Sequence, residues 1–409
     1  MDKLMILGAG KFQLDLIKTA QNMGCYVIVV SPDGDYPGLS IADKVVYQDA
    51  TDEEKVYEIA KEEKIDGIIS DQAEIFVKPI SYVSEKLNLP GNPYEVACRY
   101  TDKYEMRKCS HKASLPTIRA KRVSQIEDAI EFFEDLTGDA IIKPVDGFSS
   151  KGVYKITSRE DIENKFYEAL SYSKKDKVII EEFIKGRQFE VDSIAVNGEV
   201  STLMYADLDE FDINDVFSSK TRLYPSVADK SVIDKLLEYN INVNRCFGLK
   251  QGLTHNEYIL DEKTGEIYLI EAALRGGGTY IASHISMLET GVDTAEFLVN
   301  ISLGRIKKIP SFQMNRCHAG YVCFYLPAGE IIGASGIEAV ENLEYVDKTT
   351  LERVRTGSVS DDIKDKDQRQ AIILHASSRN EILDRIEVIK SLLKIQVKTE
   401  NGIEGPIWD

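Results

Sequence analysis

The chain is poor in cations, in patterned cysteine and histidine, and in long apolar runs. Of its 409 residues, 50 are Lys or Arg against 68 Asp or Glu, a formal net charge of −18. That acidity excludes the broad basic footprint a nucleic acid needs. It leaves room for a local basic pocket and an anionic small substrate. No apolar run approaches the roughly 20 residues of a membrane-spanning helix, so no membrane partner is expected. The six cysteines (Cys25, Cys98, Cys109, Cys246, Cys317, Cys323) include no C-x-x-C pair. This argues against a metal-thiolate or disulfide framework and for reduced thiols in a cytoplasmic protein. The opening "MDKLMILGAG" runs into a strand-like segment with no cleavable signal pattern. What is present is an ordinary globular share of apolar residues, 43%, enough for a sizeable core.

Three textures follow one another. From 1 to 93, strand-like runs ("KLMIL", "CYVIVV", "KVVY", "IDGIIS") alternate with helical spacing ("KFQLDLIKTAQNMG", "DEEKVYEIAKEEK"). That alternation predicts an open parallel α/β sheet. From 94 to 304, helices and antiparallel hairpins mix into an α+β block. From 305 to 409, short strands ("AGYVCFYLP", "QAIILHAS") flank the helical "RNEILDRIEVIKSLL". The acidic stretch "VSDDIKDKDQRQ" reads as a solvated loop.

Two nucleotide fingerprints can be set aside. In "GAGKFQ", Gly8 and Gly10 follow a strand, but Gln13 occupies the third glycine position of a dinucleotide turn. In "KPVDGFSSKGV", Gly147 and Gly152 have Walker spacing, but Val153 stands where that motif has lysine. The cation comes before the loop instead, at Lys143. This pattern predicts a strand-borne lysine beneath a flap. Lys143 suits phosphate oxygens, Gly147 and Gly152 permit close backbone approach, and Ser149 and Ser150 add hydroxyl donors. A surface hairpin with a chance lysine would look alike. Downstream, "VIIEEFIKGRQFEVD" passes from strand to linker. Phe183 and Ile184 could lie against a base and Gln188 could reach ribose hydroxyls; an ordinary amphipathic strand pair reads the same way.

The sharpest pattern is "THNEYILDEKTGEIYLIEAALRGGG". It predicts a hairpin turning at Lys263–Glu266. Strand alternation puts His255 and Glu257 on one face of the first strand, and Glu271, Ala273 and Arg275 on one face of the second. Counting from the turn sets Glu257 opposite Glu271 to within one residue. Two facing acids are unfavourable unless a hard divalent cation lies between them. Arg275 and Gly276–Gly278 follow. Lys220 and Arg222, in "SSKTRLYPS", could hold a substrate carboxylate or be plain surface charges; His255 could touch substrate or simply pack. Trp408 reads as packing.

Together these segments, in this order, resemble the ATP-grasp superfamily, in particular its carbamoyl-phosphate-synthase-like and amino-acid-ligase members. The resemblance covers nearly the whole chain. It implies a Rossmann-like domain (1–93), an ATP-grasp region (94–304) and a C-terminal α+β domain (305–409). It implies ATP with Mg2+, or Mn2+ in its place; a homodimer is compatible with the sequence, which does not fix the oligomeric state. It also implies that Lys103 in "YTDKYEMR" touches the α-phosphate and that "EEFI" (Glu181, Phe183, Ile184) is the adenine hinge. By the same resemblance, Gln188 takes the usual ribose glutamate position and Glu257 and Glu271 bind metal. Arg275 with Gly276 and Gly277 holds the transferring phosphoryl or acyl phosphate. Ala273 stands where the family has asparagine, which removes an oxygen ligand. The implied activity is an ADP-forming ligase joining a small carboxylic acid to an amine. The alternatives are a carboxyphosphate-using carboxylase or carbamoyl-phosphate-like enzyme, and a nucleotide-binding module without catalysis.

Overall fold

The computed structural model describes residues 1–147, 150–213, 215–361, 363 and 368–409. Among them the chain forms four β-sheets. The first contains β1 (Lys3–Leu7), β2 (Tyr26–Ser31), β3 (Lys44–Tyr47) and β4 (Gly67–Ile69), all parallel, in the order β3-β2-β1-β4. Leu4 to Leu7 and Val27 to Val30 are fully buried, as continuous apolar runs require in a sheet covered on both faces. The helix expected from Lys11 opens as a 3-10 turn, Lys11–Gln13, before the α-helix Leu14–Asn22. Gln13 explains its own presence: it is buried, and its side-chain amide donates to the Asp71 carbonyl at 2.7 Å. It ties the glycine turn to the chain beyond β4.

A second sheet holds β5 (Ala120–Val123), β6 (Ala140–Pro144), β7 (Tyr154–Ile156) and β8 (Val178–Glu182) in the order β5-β8-β6-β7. The expected pair β6 and β7 is antiparallel, with Ala140 opposite Ile156, so the glycine-rich segment does bridge two strands. Ile142, Ile156, Phe166 and Ile180 form part of the core beneath it.

The largest sheet is built from β9 (Gly186–Val196), β10 (Glu199–Glu210), β11 (Ser219–Tyr224), β12 (Gly252–Asp261), β13 (Ile267–Ala273) and β14 (His318–Phe324). After β15 (Gly329–Ser335) come β16 (Val346–Thr349), β17 (Val359–Ser360), β18 (Gln370–Ala376), β19 (Lys394–Thr399) and β20 (Gly402–Glu404). The order β13-β12-β9-β10-β11-β14-β18-β16 joins strands from both sides of residue 304 in one surface. The remaining four strands form β17-β15-β19-β20. Trp408 packs against Phe324 with ring centroids 4.6 Å apart, a packing role as its isolation implied.

Register decides which side chains meet. Glu271 pairs with Glu257, and Glu257 with Glu190 on β9. One step along, Ile259, Gln188, Leu208, Arg222 and Tyr321 align across five strands. One step the other way, Ala273, His255 and Asp192 align. Since side chains alternate faces along a strand, these three rows project from the same face.

Candidate functional site

That face and the second sheet line one cavity of about 480 Å3. Twelve of the expected site residues line it: Lys103, Lys143, Gly147, Ser150, Glu181, Phe183, Ile184, Gln188, Arg222, Glu257, Glu271 and Arg275. Gly152, Gly276 and Gly277 are not among its lining, and Ser149 lies outside the described residues.

Lys143 is buried, and its ammonium meets Glu181 at 2.6 Å. The two are diagonal neighbours on adjacent strands, since Ile141 pairs with Glu181 and Lys143 with Ile179. Glu181 also accepts from Arg107 Nε at 2.7 Å, while Arg107 Nη2 donates to the Ile270 carbonyl. Burial alone would raise the Glu181 pKa; Arg107 and Lys143 overcome it and hold the carboxyl down at about 2. Burial, helped by the charges of Arg107 and Lys103, pulls Lys143 below the ordinary lysine value against the attraction of Glu181. Lys103 sits at the start of the helix Lys103–Lys112, capped by Asp102, and donates to Glu271 at 2.7 Å and to the Gly147 carbonyl at 2.6 Å. Burial raises the Glu271 pKa, and the Lys103 charge more than reverses it. Three cations thus share two carboxylates.

Several expectations change on this geometry. Glu181 is not an open hinge residue: its side chain is 1% exposed and committed to two cations. The Phe183 N–H is taken by the Asp139 carbonyl at 2.9 Å. Gly152 lies outside the cavity lining and is constrained by packing: a Cβ there would fall 2.7 Å from the Tyr172 ring and its φ is +73°. Gly277 faces inward, where a Cβ would meet Ile281 at 2.7 Å and His255 at 2.8 Å. Gly276 abuts Asp71 and Ala282. Arg222 is no free surface cation: it is buried, pairs with Glu190 and reaches Glu257 at 2.5 Å and His255 at 2.8 Å. Burial holds the His255 pKa below its usual value, opposed by Asp192 at 2.9 Å. Lys220 pairs with Asp409 and lies outside the cavity lining. Gln188 reaches Glu210 at 2.7 Å. Arg275 donates to Glu74 at 3.1 Å, which joins the first 93 residues to the site. Ser150 donates to the Phe217 carbonyl at 2.9 Å, and both residues line the cavity.

Sequence reasoning missed Arg107 and Arg369. Arg107 lies four residues after Lys103 on one helix, the spacing that puts two side chains on one face. Arg369 ends the acidic stretch expected to be solvated. It lines the cavity instead, donating to the Ser219 carbonyl at 2.9 Å and to Thr279 Oγ1 at 2.9 Å. Among the described residues no carboxylate forms an ion pair with Arg369.

Residues 137–283 match the family model of the ATP-grasp domain. The chain carries an ATP-grasp domain. The cavity is lined largely from that segment, with Lys103, Ile118, Tyr321 and Arg369 added from outside it. An alanine–anticapsin ligase of Bacillus subtilis (strain 168) is 29% identical over 271 residues, 61% of this chain and 57% of that protein. The chain thus spans less than two thirds of the length of that curated relative. A formate-dependent phosphoribosylglycinamide formyltransferase of Methanocella arvoryzae is 24% identical over 297 residues, covering 70% of this chain and 68% of its own. Among solved structures, an L-amino acid ligase from Bacillus licheniformis superposes with a TM-score of 0.83 at 20% identity, over 98% of this chain and 99% of that one. At that identity the likeness establishes a shared fold, from the N-terminal parallel sheet through the ATP-grasp domain to the C-terminal end. No helix among the described residues is long and apolar enough to cross a membrane.

Proposed function

We propose that the chain is an ATP-dependent, ADP-forming ligase that activates a small carboxylic acid as an acyl phosphate and passes it to an amine. The observation that carries this reading is the charge balance around the cavity. Among the described residues Lys103, Arg107 and Lys143 make their ion pairs with two carboxylates, Glu181 and Glu271, so three cations meet two acids where a polyphosphate would lie. Phosphoryl transfer needs positioning and charge neutralisation more than covalent help, and these residues supply both. On binding, Lys103 would exchange Glu271 for phosphate oxygens, which frees that carboxylate. Phe183 and Ile184 would lie against the base and Gln188 near the ribose. Arg275, fixed by Glu74, would hold the transferring phosphoryl group. The half-buried Arg369 would take the acid's negative charge, since a guanidinium forks onto a carboxylate.

Glu257 and Glu271 fit Mg2+ or Mn2+: two carboxylates face each other in register, both line the cavity, and both are held by cations that an incoming ligand can displace. Ala273 adds no oxygen, so the donor set is completed by phosphate or water. A bound ion would neutralise phosphate charge. An amino acid as one substrate is supported by the relatives named as an alanine–anticapsin ligase and an L-amino acid ligase.

The test is product analysis over pooled acids and amines. ADP and phosphate are expected, and hydroxylamine should trap a hydroxamate when the correct acid is present without its amine. AMP and pyrophosphate among the products would overturn the acyl-phosphate route.

A further inference from the structure

The helix Lys103–Lys112 brings Lys103 to the cavity and Arg107 to Glu181 beneath it, and also carries Cys109. The Cys109 sulfur lies 3.5 Å from the sulfur of Cys246, in the last turn of the helix Lys230–Phe247, and 3.0 Å from the Cys246 carbonyl. No other two cysteine sulfurs are in hydrogen-bond contact among the described residues. Both thiols are half-buried, so a small oxidant can reach them, whereas Cys25 and Cys323 are buried. The pair is polarised. The Cys246 thiol hydrogen-bonds Cys109 and pushes its pKa down to about 7, burial opposing, with Arg99 and Lys112 adding positive charge. The same bond drives the Cys246 pKa up. The Cys109 thiol, which while protonated donates to the Cys246 carbonyl, thus loses its proton the more readily of the two and becomes the nucleophile.

We propose that Cys109 and Cys246 are a peroxide-reactive dithiol whose closure to a disulfide draws the Lys103–Lys112 helix off its station and weakens the nucleotide site. In the first step the Cys109 thiolate attacks hydrogen peroxide. The O–O bond breaks, a sulfenic acid forms, and the departing hydroxide takes a proton to become water. The Cys246 sulfur then attacks the sulfenic sulfur, an S–S bond replaces the S–O bond, and a second water leaves with the Cys246 proton. Two thiols are oxidised by two electrons in all, and one peroxide is reduced to two waters. Closure brings the sulfurs from 3.5 Å to a bond of about 2.0 Å. That approach of about 1.5 Å is shared by two helices, and one of them holds Lys103 and Arg107, two of the three cations that reach Glu271 and Glu181. The inference stands on the thiol geometry; only its consequence for ATP rests on the functional reading above.

The experiment treats the full reduced chain with stoichiometric hydrogen peroxide at neutral pH, followed by alkylation, digestion and mass spectrometry. ATP affinity is measured in parallel by calorimetry. A Cys109–Cys246 cross-linked peptide and a fall from six titratable thiols to four are expected. ATP binding should weaken about tenfold, the loss of one charge-assisted contact, and return with dithiothreitol. Cys109→Ser and Cys246→Ser should each bind ATP normally, form no cross-link, and keep that affinity after peroxide. A thiol count unchanged at six, or Cys109 sulfinic acid without the cross-link, overturns the dithiol. A disulfide that leaves ATP affinity unchanged overturns its coupling to the site. Should the reduced protein bind no ATP, the ligase reading fails, while the masses still decide the dithiol.

Discussion

The surroundings of Lys143 oppose its charge, since burial and two neighbouring cations pull its pKa down against Glu181. An arriving phosphate relieves that conflict. Lys143→Ala should therefore weaken ATP binding by roughly 1.5–3 kcal/mol, the value of a charge-assisted contact. The fold should survive, because Glu181 retains its hydrogen bonds from Arg107 Nε at 2.7 Å and Nη2 at 3.3 Å. Calorimetry on the variant checks the first point and a melting curve the second. Arg369→Gln should act elsewhere: the KM for the acid should rise roughly tenfold, a lost ionic contact, with ATP affinity unchanged. Equal effects on both ligands would remove Arg369 from the acid's site. Lys143 was legible in the sequence because a cation before a glycine-rich loop is a local pattern. Its partner was not, because Lys143 and Glu181 meet only when β6 and β8 pair. Arg369 was hidden by composition: the acids around it read as a solvated loop, and nothing in that stretch marks Arg369 as a side chain that turns inward.

Strand register made the facing acids readable. Counting from the turn set Glu257 against Glu271 within one residue, and the pairing is direct, with an irregularity just after Glu257 absorbing the mismatch. The triple glycine after β13 was less transparent, because a glycine needed for packing looks the same in sequence as one needed for ligand approach. The β6–β8 contact carries a pH prediction. Glu181 has a folded pKa of about 2, below its ordinary value of 4.5. A depressed carboxylate contributes stability that is present above the unfolded value and is lost as pH falls through the folded one. The acid limb of the unfolding curve should therefore drop between about 4.5 and about 2. Arg107→Ala, which strips the carboxylate of its closest guanidinium, should cost about 3 kcal/mol at neutral pH and begin acid unfolding at higher pH. An unshifted acid midpoint in that variant would show that Lys143 alone holds the carboxylate charged.

At the scale of the whole molecule, the parallel sheet of the first 93 residues reaches the cavity through Glu74 and Arg275, 3.1 Å apart. Glu74→Gln should lower kcat about tenfold while leaving ATP affinity intact, since a misplaced group penalises the reacting geometry more than binding. A rise in the ATP dissociation constant with unchanged kcat would contradict this.

The rows across the large sheet carry a further consequence. Glu271, Glu257 and Glu190 stand on successive strands, and strands in a sheet lie about 4.8 Å apart. The acids are therefore set out on a ruled grid whose spacing the backbone dictates. The grid can be rewritten one square at a time, by changing a side chain, but it cannot be stretched. A residue deleted from β9 between Gln188 and Glu190 would act as a frameshift in space. Every later side chain of that strand would turn to the opposite face, and Glu190 and Asp192 would leave the Arg222 and His255 they now meet. Where β9 pairs with β12 the register runs without a shift, so this row of acids can be altered by substitution but not by deletion.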